Sequence, residues 1–195
     1  VSAGANSLPV NVPDFAAAGA TFARFRCSTQ SGLQPTGLAS DGEVEDIRVA
    51  VAEGGRTPTP TNTIAVEPSN TPTKTATPDV VVPTSTPTNT PAPAVFDFGD
   101  APDTPYDTLL ASNGARHALG SAVYLGSCVD AESDGQPNMT STGDDLAVGS
   151  TTVGVCESAG DDEDGVKLMP MFAGDLAELK VSAHVACVLN AWMDW

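Results

Sequence analysis

The chain has 195 residues, 25 Asp plus Glu against 8 Lys plus Arg, a formal net charge of −17 and only 5% aromatic residues. That balance excludes nucleic acid and an anionic membrane surface as partners, since both recruit Lys and Arg. No run of about 18 apolar residues is present to insert into a bilayer.

The first segment, 1–53, reads as β. Ser7–Val12 alternates, and so does ATFARFRCS, with Ala23, Phe25 and Cys27 on one face and Phe22, Arg24 and Arg26 on the other. A period of two predicts a half-buried strand. GLQPTGLASDGE is turn chemistry, and Ile47, Val49 and Val51 then line one face of a further strand. Three strands in about 50 residues make a poor core alone.

Residues 54–95 are dominated by Thr and Pro and carry no apolar period. Such a stretch buries too little to offset its ordering entropy, and its prolines favour a semi-rigid spacer of about 3.1 Å per residue. Thr/Pro tracts are also frequent O-glycosylation stalks, with Thr57, Thr59, Thr61, Thr71, Thr73, Thr84, Thr86 and Thr88 as candidates. Val80–Val82 is the one run in it that suits strand addition.

Residues 96–165 are Asp- and Gly-rich and loop-heavy. Asp130-Ala-Glu132-Ser-Asp134-Gly135 sets oxygens at every second residue before a glycine, as calcium loops do, but Ser141 stands where an EF-hand has its last Glu. Asp144, Asp145, Asp161, Asp162 and Asp164 would supply further ligands. Carboxylates at this density repel unless a cation or water screens them, and Ca2+ accepts 6–8 hard oxygens in loose geometry. The bland alternative is a solvated acidic surface. Asn138-Met-Thr140 is an Asn-x-Thr sequon.

Residues 166–195 return to β, with Cys187, Leu189, Ala191, Met193 and Trp195 on one face. Trp192 and Trp195 then face opposite sides. Cys27, Cys128, Cys156 and Cys187 lack any CxxC spacing, which disfavours zinc. Two disulfides in an oxidising compartment are expected, against four buried thiols. A Cys128–Cys156 bridge would close a loop of about 29 residues around the acidic run, worth roughly 3–4 kcal/mol. Pairing within that segment leaves Cys27 with Cys187, which requires the two ends of one chain, or of two chains, to meet. No GxSxG, HExxH or P-loop is present. His117 and His184 read as structural, so no enzyme is expected.

These residues resemble the GEVED domain of bacterial secreted and surface proteins. TFARFRCSTQSGLQPTGLASDGEVEDIRV is similar to its C-terminal end, with Gly42-Glu43-Val44-Glu45-Asp46 as the name-giving motif, and LKVSAHVACVLNAWMDW to its first strands. FDFGDAPDTPYDTLLASNGARHALG through GDDEDGV is similar to the acidic segment that often precedes such domains. The resemblance implies extracellular β-sandwich modules without enzymatic activity. The order is circularly out of phase: a module's second half (1–53), a stalk (54–95), an acidic segment (96–165) and a module's first half (166–195). Either the sequence is a window on a tandem protein, or halves complete one another between subunits, tail into head.

The expectation is therefore an all-β fold of sandwich modules with long Asp/Gly-rich loops, separated by an extended linker. It is secreted or cell-surface, stabilised by Ca2+ and structural or filament-forming. Its partners would be further copies or flanking modules. The alternative is a stalked adhesin or carbohydrate-binding module with glycans as partners.

Overall fold

The structure, a computed structural model, describes residues 1–55, 95–143, 153–155 and 164–195. The chain is all-β among these residues, apart from one 3-10 turn at Leu110–Ser112. Val1–Gly55 and Ala94–Trp195 form one unit. The Thr/Pro stretch and all eight candidate glycosylation threonines lie outside the described residues.

Twelve strands run in order: β1 (Gly4–Asn11), β2 (Gly19–Ser28), β3 (Leu38–Ala39), β4 (Glu43–Ala52), β5 (Phe96–Phe98), β6 (Arg116–Ala118), β7 (Cys128–Val129), β8 (Val153–Gly154), β9 (Val166–Leu168), β10 (Met171–Phe172), β11 (Leu176–Ala183) and β12 (Val188–Met193). One sheet has the order β1-β11-β9 and another β10-β4-β2-β12. Two small sheets, β3-β6-β5 and β7-β8, complete the unit.

Both large sheets mix distant parts of the sequence. β1 pairs antiparallel with β11, from Gly4 opposite Ala183 to Asn11 opposite Leu176. β2 lies between β4 and β12, with Ala23 opposite both Ile47 and Met193. The first 53 residues, too few strands to bury a core, are thus completed by strands from 166–195. Cys27 and Cys187, 160 positions apart, are disulfide-bonded with Cα atoms 5.7 Å apart.

The apolar core follows from strand alternation. β11 reads exposed-buried throughout, burying Ala177, Leu179, Val181 and Ala183. Ala23, Phe25 and Cys27 of β2 and Val49 and Val51 of β4 belong to the same buried cluster. Leu189, Met193 and Trp195 pack against its margin. Trp192 instead joins Phe22, Ala101 and Tyr106 on the other side of the sheet, so the two tryptophans do face opposite ways.

The half-buried reading of β2 is corrected. From Ala23 to Ser28 every residue is buried, Arg24 and Arg26 included, each with no exposed surface. The face that alternation assigns to water is covered by the turn at 34–37 and by residues 96–118.

Candidate functional site

The covered face of β2 and β4 holds a layer of buried charge. Arg24 and Asp46 sit opposite each other in the antiparallel register. Arg24 donates from Nε and Nη2 to the two Asp46 oxygens, at 2.8 and 2.7 Å. Its other three N–H groups go to Thr108 Oγ1 (2.7 Å), the Asp107 carbonyl (2.6 Å) and the Pro35 carbonyl (2.9 Å). Tyr106 lies under the guanidinium, 5.0 Å from ring centroid to Cζ. All five donors are therefore used, which a buried guanidinium requires. Burial alone would lower the Arg24 pKa. The charge and hydrogen bonds of Asp46 outweigh that and hold it above its ordinary value.

Arg26 solves the same problem without a carboxylate. Its Nε donates to His117 Nε2 at 2.9 Å. Its remaining donors reach the carbonyls of Gln34 (2.7 Å), Thr36 (2.9 Å), Gly37 (2.9 Å) and Arg116 (3.2 Å). Burial and the neighbouring Arg24 push it down to about 10, so it stays charged at neutral pH. The turn-forming stretch GLQPTG is organised around this guanidinium.

The Arg26 contact fixes the tautomer of His117. Nε2 accepts, so Nδ1 carries the proton and donates to the Asp41 carbonyl at 2.5 Å. Burial and the Arg26 charge push the ring down to about 3, so it is a neutral bridge.

The GEVED run supplies the rest of the clasp. Asp46 Oδ2 also accepts the backbone N–H groups of Asp100 (2.9 Å) and Ala101 (2.8 Å). On the opposite, core-facing side of β4, Glu43 accepts Leu125 N–H, and Glu45 accepts Val166 N–H at 2.7 Å. In return Asp97 accepts Val44 N–H at 2.6 Å. Three of the motif's acids thus each hold backbone from beyond residue 95.

Its glycine is required too. Gly42 has φ +102°, and a Cβ there would stand 1.9 Å from the Cys27 carbonyl oxygen and 2.7 Å from His117 Nδ1. Gly99, in the FDFGDAPD stretch, passes so close that a Cβ would lie 2.3 Å from Asp46 Oδ2. Asp103 folds the following turn, accepting N–H groups from Thr108 (2.6 Å) and Leu109 (3.0 Å) and the Ser112 hydroxyl (2.7 Å). These bonds, Thr108 first, hold its carboxyl below the usual range.

No protein-family model, no curated protein and no solved structure matches this chain.

The candidate calcium ligands part company. Asp130 and Glu132 are buried, and Glu132 Oε2 accepts Phe98 N–H at 2.9 Å. Burial, a hydrogen bond to Asp130 and the charge of Asp97 raise the Glu132 pKa above the carboxylate range and favour its protonated form. Asp134 accepts the N–H groups of Leu110 (2.6 Å) and Gly135 (2.9 Å). Asp164 accepts Ser127 N–H at 2.8 Å. Asp144, Asp145, Asp161 and Asp162 lie outside the described residues. Among the described residues no three Asp, Glu, His or Cys side chains are grouped to hold a metal ion. The oxygens present are the hard donors calcium takes, but these residues alone do not make its site.

Cys128 is disulfide-bonded, and Cys156 lies outside the described residues. His184 is exposed just past β11 and stacks on Tyr124 with centroids 4.3 Å apart.

The sequence reading missed the arginine layer altogether. The available signal was the spacing of Arg24 and Arg26, two of eight cations placed two apart on one strand face. Guanidinium forks at such positions suit buried bidentate pairing.

Proposed function

We propose that this chain is a non-enzymatic, extracellular structural module whose working feature is the joint between its two β halves. The observation that carries the reading is that β2, from the front of the chain, lies between β4 and β12 and is tied to residue 187 by a disulfide. A sandwich divided in this way keeps every strand pair if its second half comes from the next copy. Heterologous joints of that kind generate open filaments. The resemblance to GEVED modules points the same way, as does the acidic charge, which keeps such a surface soluble. The buried charge layer suits a structural role, because it fixes one arrangement of the acidic segment on the sheet.

The test uses two single-cysteine variants. Cys27→Ser and Cys187→Ser copies, mixed and refolded together under oxidising conditions, should form disulfide-linked pairs on non-reducing gels, and wild-type protein should give fibres in electron micrographs. Monomers in both experiments would overturn the filament reading and leave a self-contained module.

Calcium belongs to the same proposal. Its ligands would be drawn from Asp130, Glu132, Asp134, Asp144, Asp145, Asp161, Asp162 and Asp164. A melting temperature that rises and saturates with calcium, relative to excess chelator, supports a specific site. No shift would reduce the carboxylates to backbone acceptors and a solvated surface.

A further inference from the structure

Asn138-Met139-Thr140 takes no part in the sandwich core or the arginine layer. Its loop is pinned at both ends to one buried residue, because Asn138 N–H donates to the Asp100 carbonyl at 2.9 Å and Gly143 N–H to Asp100 Oδ2 at 2.7 Å. Within that frame the Asn138 carboxamide is oriented. Its Oδ1 accepts the Thr140 N–H and the Thr140 hydroxyl, both at 2.8 Å, and the Thr142 N–H at 3.4 Å. The Thr140 and Thr142 hydroxyls lie 2.9 Å apart. Among the described residues Nδ2 donates to nothing, Met139 is 69% exposed and Thr140 is exposed. The oxygen end of the amide is loaded with donors and the nitrogen end is left for a visitor.

We propose that Asn138 is an N-glycan attachment site, presented in reactive form by the folded loop, with a glycosyl diphosphate on a lipid or nucleotide carrier as the donor. The amide lone pair is delocalised and a poor nucleophile. Donors aimed at Oδ1 stabilise the negative charge that develops there as Nδ2 loses a proton to the transferase's base. The nitrogen then attacks the anomeric carbon. The C1–N bond forms, the C1–O bond to the diphosphate breaks, and the diphosphate leaves with the bonding pair. The sugar would stand on a short loop anchored to a buried residue, distinct from any carried by the threonine-rich stretch.

The proposal is tested on purified, folded protein with its disulfides intact, so the outcome is independent of whether the chain forms filaments. One arm uses a lipid-linked donor with a membrane oligosaccharyltransferase, the other a nucleotide sugar with a soluble N-glycosyltransferase. Mass spectrometry of the peptide containing Asn138 reads the result. Sugar on Asn138 in one arm is expected, abolished in Asn138→Gln and lost in Thr140→Ala. Thr142→Val keeps the three-residue sequence but removes the second hydroxyl, and should slow transfer about fivefold, the effect of one modest hydrogen bond. Unmodified Asn138 in both arms while a free acceptor peptide is modified would overturn the site. An unchanged rate in Thr142→Val would overturn presentation by the fold.

Discussion

The two faces of the β2–β4 pair hold the molecule together in opposite ways. On one face Phe25, Cys27, Val49 and Val51 meet Leu179 and Val181 of the facing sheet, with apolar surface against apolar surface. On the other, Arg24 and Arg26 meet Asp46, His117 and a ring of carbonyls. Apolar contact is non-directional and accepts any side chain of about the right volume. The charged face is directional: ten N–H donors on two side chains each have a named acceptor. The apolar contacts supply cohesion, and the directional bonds, with Glu43 adding one to Leu125 from the core-facing side, specify where the acidic segment docks.

Breaking the charged face should produce the largest effect. Asp46→Ala strands the Arg24 charge and two backbone N–H groups, and should cost about 3–5 kcal/mol in chemical denaturation. Arg24→Met with Asp46→Leu removes the charge altogether and should be less destabilised than Asp46→Ala alone. If the double variant were the worse of the two, the pair would be a net source of stability.

On the apolar face, Leu179→Ala should cost about 2–5 kcal/mol through lost transfer energy and a cavity. Leu179→Met, close in volume, should cost less than about 1.5 kcal/mol. The contrast between tolerant and intolerant faces fails if Leu179→Met matches Asp46→Ala.

Two smaller effects appear as slopes against pH. His117 titrates near 6.5 when unfolded but is pushed down to about 3 in the fold. Between those values the unfolded chain binds a proton that the folded chain refuses. Stability is therefore fully present above about pH 6.5 and is lost as pH falls. His117→Gln, whose oxygen can accept from Arg26 while its amide donates to Asp41, should flatten that acid-side slope in melts across the pH range. Glu132 shifts the other way. The fold keeps a proton that the unfolded chain releases above about pH 4.5, so stability declines as pH rises past it. Glu132→Gln should remove that decline when melts are run in chelator, the smallest change of the set.

The strands were legible because alternation is local. ATFARFRCS, DIRVAV and LAELKVSA each show the period of two, and each is a strand. The inward faces of Cys27 and Cys187 were legible for the same reason. Alternation, however, reports only which residues share a face, not what covers it. Nothing local to Arg24 distinguishes water from a layer built 80 residues later, and surface-facing arginines are the commoner case. The acids carry a second use that is hidden in a related way. Glu43, Glu45, Asp46, Asp97, Asp103, Asp134 and Asp164 accept backbone N–H groups, a use of carboxylates that leaves no spacing signature. In the run Asp130-Ala-Glu132-Ser-Asp134, which reads as a ligand set because its members are neighbours in sequence, Asp134 accepts Leu110 N–H and Glu132 accepts Phe98 N–H.

The pairing of β2 with β12 also sets a timetable. Contacts this far apart in sequence form slowly, because the intervening chain must be closed before they contribute. During synthesis residues 19–52 emerge long before the strand that flanks them and the segment that covers their arginines. A hairpin with an open edge, its arginines held on one side only by Asp46 and the carbonyls of 34–37, is a target for association with other chains. The protein should therefore depend on holding factors, or on reaching its destination before it folds, more than its length alone suggests.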